Sequence, residues 1–334
     1  MRVRASRVLY CAAAVCAALA LAACNSGAPG PQAGLTGGGA AMPSGGGGNV
    51  TYAEFRTSAF PYRGAIPADA DTKERARPFL DVVADGRLAH TSPRGGVLWE
   101  DSTYNDRHVL LAAGPDFDPN RPGVMVVYFH GNQSILSRDV VDRQQTVRQL
   151  AQSNLNAVLV APQLAVDAND SSAGNFWRAG AFAQFLDEAD NQLAGLYGTS
   201  PGVFRRMPVI VVAYSGGYMP AAYSLVEGGA GGRVRGVVLL DALYGEVDKF
   251  AHWIEAARGG AFFVSAYSGS THDENLALRA RLQRNGVAVE DGLPQTLGPG
   301  AVAFVDSGDV NHDNFVSVAW TSDPLAAVLS RVQR

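Results

Sequence analysis

Six short apolar runs, at 124–129, 157–161, 209–213, 237–240, 261–264 and 301–305, constrain this chain more than any other feature. Each is free of charge and rich in valine, as a strand covered on both faces must be. The segments between them carry helical spacing. Phe182, Phe185, Leu186, Ala189, Leu193 and Leu196 fall on one helical face, as do Phe250, Trp253, Ile254 and Ala257. Thr271-His272-Asp273-Glu274 has the form of a capping box, opening a helix that ends at Gly286. This alternation predicts an α/β fold: a mostly parallel, doubly wound sheet with helices on both faces. Ahead of it, 52–121 contains turn clusters such as Ser92-Pro93-Arg94-Gly95-Gly96. There, 97–103 and 108–113 are expected as antiparallel strands extending one edge.

A chain of 334 residues that is 47% hydrophobic and 17% charged can bury a large single core. Its net charge of −4, with no Lys/Arg block beyond the N-terminus, provides no field for nucleic acid. At that N-terminus, Arg2, Arg4 and Arg7 precede an apolar stretch too short to span a bilayer comfortably, leading into Leu21-Ala22-Ala23-Cys24. These four residues resemble the lipobox of bacterial lipoproteins, which implies a signal peptide at 1–23 and acylation of Cys24. The resemblance places the protein in the cell envelope, exported and lipid-anchored to a bacterial membrane. Asn25, where an aspartate would mark inner-membrane retention, favours the outer membrane. The other two cysteines, Cys11 and Cys16, lie in the leader, so the mature chain forms no internal disulfide. Residues 24–50 then read as the acylated cysteine and a glycine-rich tether, with a reach of roughly 28 Å as a flexible coil. The folded domain is expected over 51–334.

The run at 209–213 leads through Tyr214 to Ser215, followed by Gly216 and Gly217. In a parallel sheet, ligands bind beyond the carboxyl ends of the strands, and Ser215 stands at one. A serine on a tight strand-to-helix turn needs small flanking residues, because strand and helix approach closely there. Ala213-Tyr214-Ser215-Gly216-Gly217 resembles the G-x-S-x-G nucleophile elbow of the α/β-hydrolase superfamily, with alanine replacing the first glycine. Pro220 removes a hydrogen bond from the first turns of the next helix, so that helix is expected to begin late or bend.

The resemblance extends over 122–334 and implies a set of roles. The first parallel run ends in His130-Gly131-Asn132-Gln133, matching the His-Gly loop that supplies an oxyanion donor. Gly216 and Asn132 are then the oxyanion candidates, with Gln133 as a near alternative. His312, in the polar loop after the last strand, takes the place of the base that activates Ser215. The acid follows one of the two strands between serine and histidine. Asp241 is preferred, because a carboxylate ending a buried strand needs a partner, whereas the alternative, Asp273, is explained by its place in a helix's first turn. His130, Gly131 and Tyr214 flank these groups and are expected at the substrate site, with Phe176 and Trp177 as wall residues.

The implied activity is that of a membrane-tethered serine hydrolase cleaving an ester, in preference to an amide, through an acyl-enzyme. Its substrate would be a small-molecule or lipid-like ester, with no cofactor and no metal. The alternative is a catalytically silent lipoprotein that uses the hydrolase scaffold to bind a ligand or an envelope partner. Metal-dependent hydrolysis through His130, His312 and Asp241 is the weakest reading, since no H-E-x-x-H spacing occurs.

Overall fold

The computed structural model describes residues 50–68 and 73–333. The leader at 1–23, Cys24 and the tether up to residue 49 lie outside the described residues.

The strands of the main sheet are Val50–Glu54 (β1), His108–Ala113 (β2), Val124–Phe129 (β3), Ala157–Pro162 (β4), Val209–Tyr214 (β5), Val234–Leu240 (β6), Phe262–Tyr267 (β7), Glu290–Asp291 (β8) and Val302–Asp306 (β9). They lie in the order β1-β2-β4-β3-β5-β6-β7-β9-β8. β1 pairs antiparallel with β2, and β2 antiparallel with β4; the remaining pairs are parallel. The valine-rich runs thus form the parallel body of the sheet, which is of the α/β-hydrolase type.

Side-chain alternation divides the interior into two cores. From β3, Met125, Val127 and Phe129 enter one core, while Val126 and Tyr128 enter the other. The α-helices of six or more residues are Thr146–Gln152 (α1), Ala181–Tyr197 (α2), Tyr218–Val226 (α3), Val247–Ala256 (α4), His272–Arg284 (α5) and Pro324–Leu329 (α6). The first core takes apolar residues from α2 to α5, the second from α1 and α6. Burial on both faces explains why the strand sequences show no polar alternation. Among the described residues, no helix is long and apolar enough to cross a membrane.

Three local expectations need correction. Residues 97–103 do not extend the main sheet: Val97–Trp99 pairs with Arg87–Thr91 in a separate three-stranded sheet, and Glu100–Thr103 is a helical turn. The edge beside β2 is taken instead by β1, in register from Val50↔Ala112 to Glu54↔His108. The capping box at Thr271 does not form, since α5 starts without a side-chain cap and the Thr271 hydroxyl turns to Asp241 (2.6 Å). Pro220 neither interrupts nor delays the helix beyond a short 3₁₀ turn, Ser215–Gly217, because it falls in the first turn of α3. There its missing N–H costs little.

Candidate active site

Ser215 immediately follows β5 with φ +50°, the left-handed region that a serine seldom occupies. Such a residue costs on the order of 1–3 kcal/mol and persists only where the surroundings hold it. Those surroundings are made tight by glycine. A Cβ at Gly131 would lie 2.8 Å from the Ser215 Cβ. One at Gly217 would strike the Phe129 carbonyl and lie 3.0 Å from His130 O. One at Gly216 would collide with the Asn132 side-chain amide.

The Ser215 Oγ lies 2.8 Å from His312 Nε2, and His312 Nδ1 lies 2.6 Å from Asp241 Oδ2. Asp241 begins the loop after β6 and is fully buried, while the His312 side chain is 28% exposed. The carboxylate also accepts from Ser268 N (3.0 Å), Ser268 Oγ (2.8 Å), Ser270 Oγ (2.7 Å) and Thr271 Oγ1 (2.6 Å). Burial alone would raise its pKa. The hydrogen bonds from His312, Thr271, Ser268 and Ser270 outweigh that and hold it well below the usual carboxylate range. An ionised carboxylate only accepts, so His312 Nδ1 carries the proton and Nε2 presents its lone pair to the Ser215 hydroxyl.

Tyr214 fixes the imidazole from the side. Its hydroxyl donates to His312 O (2.8 Å), and its ring stacks on His312 with centroids 5.1 Å apart. It therefore holds the base, a role the sequence expectation did not include. Tyr244 approaches the other side, its hydroxyl 3.2 Å from His312 Nδ1 and 2.9 Å from Ser270 Oγ.

The remaining candidates separate. Gln133 is not an available oxyanion donor, because its N–H donates to Ala168 O (2.8 Å); Asn132 and Gly216 remain. His130 is fully buried beneath the loop. Its Nδ1–H donates to Gly131 O (2.7 Å), and its Nε2 accepts from Leu164 N (2.9 Å) and lies 3.0 Å from Gln163 Nε2. Burial lowers its pKa to about 4, which keeps it neutral, and both ring nitrogens are engaged within the loops, apart from His312 and Asp241. Phe176 is no pocket wall: it is fully buried against Phe129, Phe182 and Phe185. Asp273 is also apart, its side chain 96% exposed beside His272. Among the described residues, no cluster of three His, Cys, Asp or Glu side chains is arranged to hold a metal.

Trp177 does line a cavity, of about 190 Å³, together with Tyr218, Met219, Tyr223, Arg94 and Ser171. Ser171 Oγ would lie 2.7 Å from a Cβ at Gly216, so this cavity abuts the serine turn. Sequence reasoning missed Ser268, Ser270 and Thr271 as carboxylate partners, missed Tyr244, and gave Arg94 only a place in a turn. The one available signal was the hydroxyl-rich segment 268–271 after the strand adjoining β6.

No protein-family model matches the sequence, and no curated protein matches it. Among solved structures, a mutant feruloyl esterase module from Clostridium thermocellum complexed with sinapinate is 14% identical, over 82% of this chain and 93% of that one, with a TM-score of 0.44. An S-formylglutathione hydrolase from Agrobacterium tumefaciens is 12% identical over 75% and 98%, with a TM-score of 0.43. A thermostable esterase from Pseudomonas putida is 15% identical over 75% and 82%, with a TM-score of 0.42. These likenesses are loose, and the chemistry of the site stands on the geometry of this chain alone.

Proposed function

We propose that this chain is a serine ester hydrolase, tethered to a membrane through acylated Cys24. The observation that carries the activity is the unbroken line from Ser215 Oγ to His312 Nε2 and from His312 Nδ1 to Asp241, built on a serine with left-handed backbone. His312 removes the Ser215 proton as Oγ attacks the ester carbonyl, and Asp241 stabilises the resulting imidazolium. The tetrahedral oxyanion is received by the Gly216 and Asn132 N–H groups. Collapse breaks the bond to the alkoxide, which leaves as an alcohol with the proton from His312. Water, deprotonated by His312, then releases the acid from Ser215. An ester is preferred to an amide because an alkoxide departs with less help from a protonated base than an amine needs.

The test is labelling of the full chain in bacterial membranes with a fluorophosphonate probe. Stoichiometric labelling is expected, lost in Ser215→Ala and His312→Ala, with the labelled band sedimenting with membranes and becoming soluble in Cys24→Ser. A folded wild-type protein that takes no label would instead be the silent binding lipoprotein. A labelled Cys24→Ser variant still in the membrane fraction would remove the tether.

A further inference from the structure

The turn at 92–96 is not used by the chemistry above, yet it reaches the mouth of the site. It closes the hairpin between Arg87–Thr91 and Val97–Trp99, with Ser92 N donating to Gly96 O (3.1 Å) and Gly95 N to Ser92 O (2.9 Å). Ser92 Oγ donates to Asn169 O (2.9 Å) and accepts from Arg94 N (3.2 Å), tying the turn to the loop over the sheet. The turn thereby holds Arg94 over the site. Its guanidinium carbon lies 5.9 Å from the centre of the Tyr244 ring, and it lines one cavity with Tyr218. With the Asn132 amide turned so that its nitrogen donates to Ser171 Oγ (3.1 Å) and Asp170 O (2.7 Å), its oxygen accepts from Arg94 Nε (3.2 Å). Arg94 therefore meets the candidate oxyanion loop and the tyrosine beside His312, in the cavity that Tyr218 also lines.

All these neighbours are neutral. Among the described residues Arg94 has no ion-pair partner, and it is exposed. Carboxylates that line the same cavity are engaged elsewhere: Glu246 with Lys249 (2.5 Å), and Asp170 with the Tyr104 hydroxyl (2.9 Å). Glu74 lies on the exposed rim. A positioned guanidinium offers a planar pair of donors that matches a carboxylate. The cavity's other arginine, Arg77, faces Asp81 (4.0 Å), which leaves Arg94 as the cation turned to a ligand. Behind it, Trp177, Tyr218, Met219 and Tyr223 provide an apolar wall. A cavity of about 150 Å³ accommodates benzene, so about 190 Å³ is sufficient for a ring-sized or short-chain body.

We propose that Arg94 selects ester substrates that carry a free carboxylate, binding that group at the mouth while the apolar body fills the adjoining cavity. This rests on the esterase reading and adds the substrate class. The test compares kcat/KM of the full chain on two matched probe pairs. One is 4-nitrophenyl monoadipate against 4-nitrophenyl hexanoate, charged on the acyl side. The other is O-acetyl-4-hydroxyphenylacetate against its methyl ester, charged on the alcohol side. The wild type should prefer the anionic member of at least one pair. Arg94→Gln should lower that preference roughly 10- to 100-fold, with Arg94→Lys restoring part of it. The preference should also shrink as salt is raised. Ser215-dependent hydrolysis without an anionic preference, or with one that survives in Arg94→Gln, overturns this assignment and leaves the esterase reading intact. Failure of the wild type to hydrolyse any probe removes both.

Discussion

At the scale of single residues, Asp241 shows how a buried charge is made tolerable. Its two oxygens accept five hydrogen bonds, from the Ser268 N–H, three hydroxyls and His312. An uncompensated carboxylate in this position would protonate; this one stays ionised and fixes the imidazole tautomer. Asparagine in its place keeps the shape and removes the charge that stabilises the imidazolium. Elsewhere the same exchange in a Ser-His-Asp triad costs about 10⁴ in kcat. For Asp241→Asn, a loss on the order of 10³- to 10⁴-fold is expected on 4-nitrophenyl butyrate, with far-UV circular dichroism unchanged. A folded variant losing less than tenfold would show that Asp241 is not the orienting acid. The sequence distinguished Asp241 from Asp273 for a physical reason: one ends a strand buried on both faces, while the other has a helix dipole to account for it. It could not show the hydroxyls around Asp241, because Ser268 to Thr271 belong to a different strand-end loop brought alongside only by the pairing of β6 with β7.

At the scale of elements, the serine turn depends on close approach between β3, the loop after it and α3. Gly217→Ala would push a methyl into the Phe129 carbonyl and the His130 backbone, neither of which is a flexible side chain. Such overpacking costs about 1–3 kcal/mol. Gly195 is the opposite case: it is exposed within α2, and a Cβ there meets nothing within 4 Å. Gly195→Ala should therefore stabilise by about 0.5–1 kcal/mol through helix propensity. Urea midpoints at constant m-value should move in opposite directions for the two variants: a rise in Gly217→Ala would contradict the packing at Gly217, and a fall in Gly195→Ala the helix-propensity gain. The parallel strands were readable because burial on both faces leaves a continuous apolar run. β1 was not: its residues alternate between exposed and half-buried, and its partner β2 lies more than fifty residues away in sequence. The strand expected at 97–103 failed similarly, since its apolar character serves a small separate sheet whose hairpin carries Arg94.

At the scale of the whole molecule, the loops following β3, β4, β5, β6 and the last parallel strands converge at the carboxyl edge of the sheet, and His130 links two of them from below. Its Nδ1–H holds Gly131 O, while its Nε2 receives Leu164 N from the loop after β4. That arrangement requires the neutral ring, and burial lowers the pKa from 6.5 to about 4. Between those values the unfolded chain binds a proton that the folded one does not, so unfolding free energy rises with pH across this window and is lost on acidification. A shift of this size corresponds to about 3 kcal/mol lost between pH 6.5 and pH 4. Asp241 acts later in an acid titration. Its depressed pKa contributes stability that is fully present above the ordinary carboxylate range and is lost only as pH falls below it. Acid destabilisation should thus begin with His130, ahead of the carboxylate. Urea unfolding of wild type and His130→Gln at pH 7, 5.5 and 4.5 separates this contribution from that of other groups. The glutamine variant should start less stable, having lost part of the loop clamp, and should show a shallower fall with acidification. Two curves that descend in parallel would mean that His130 does not carry the acid sensitivity of the fold.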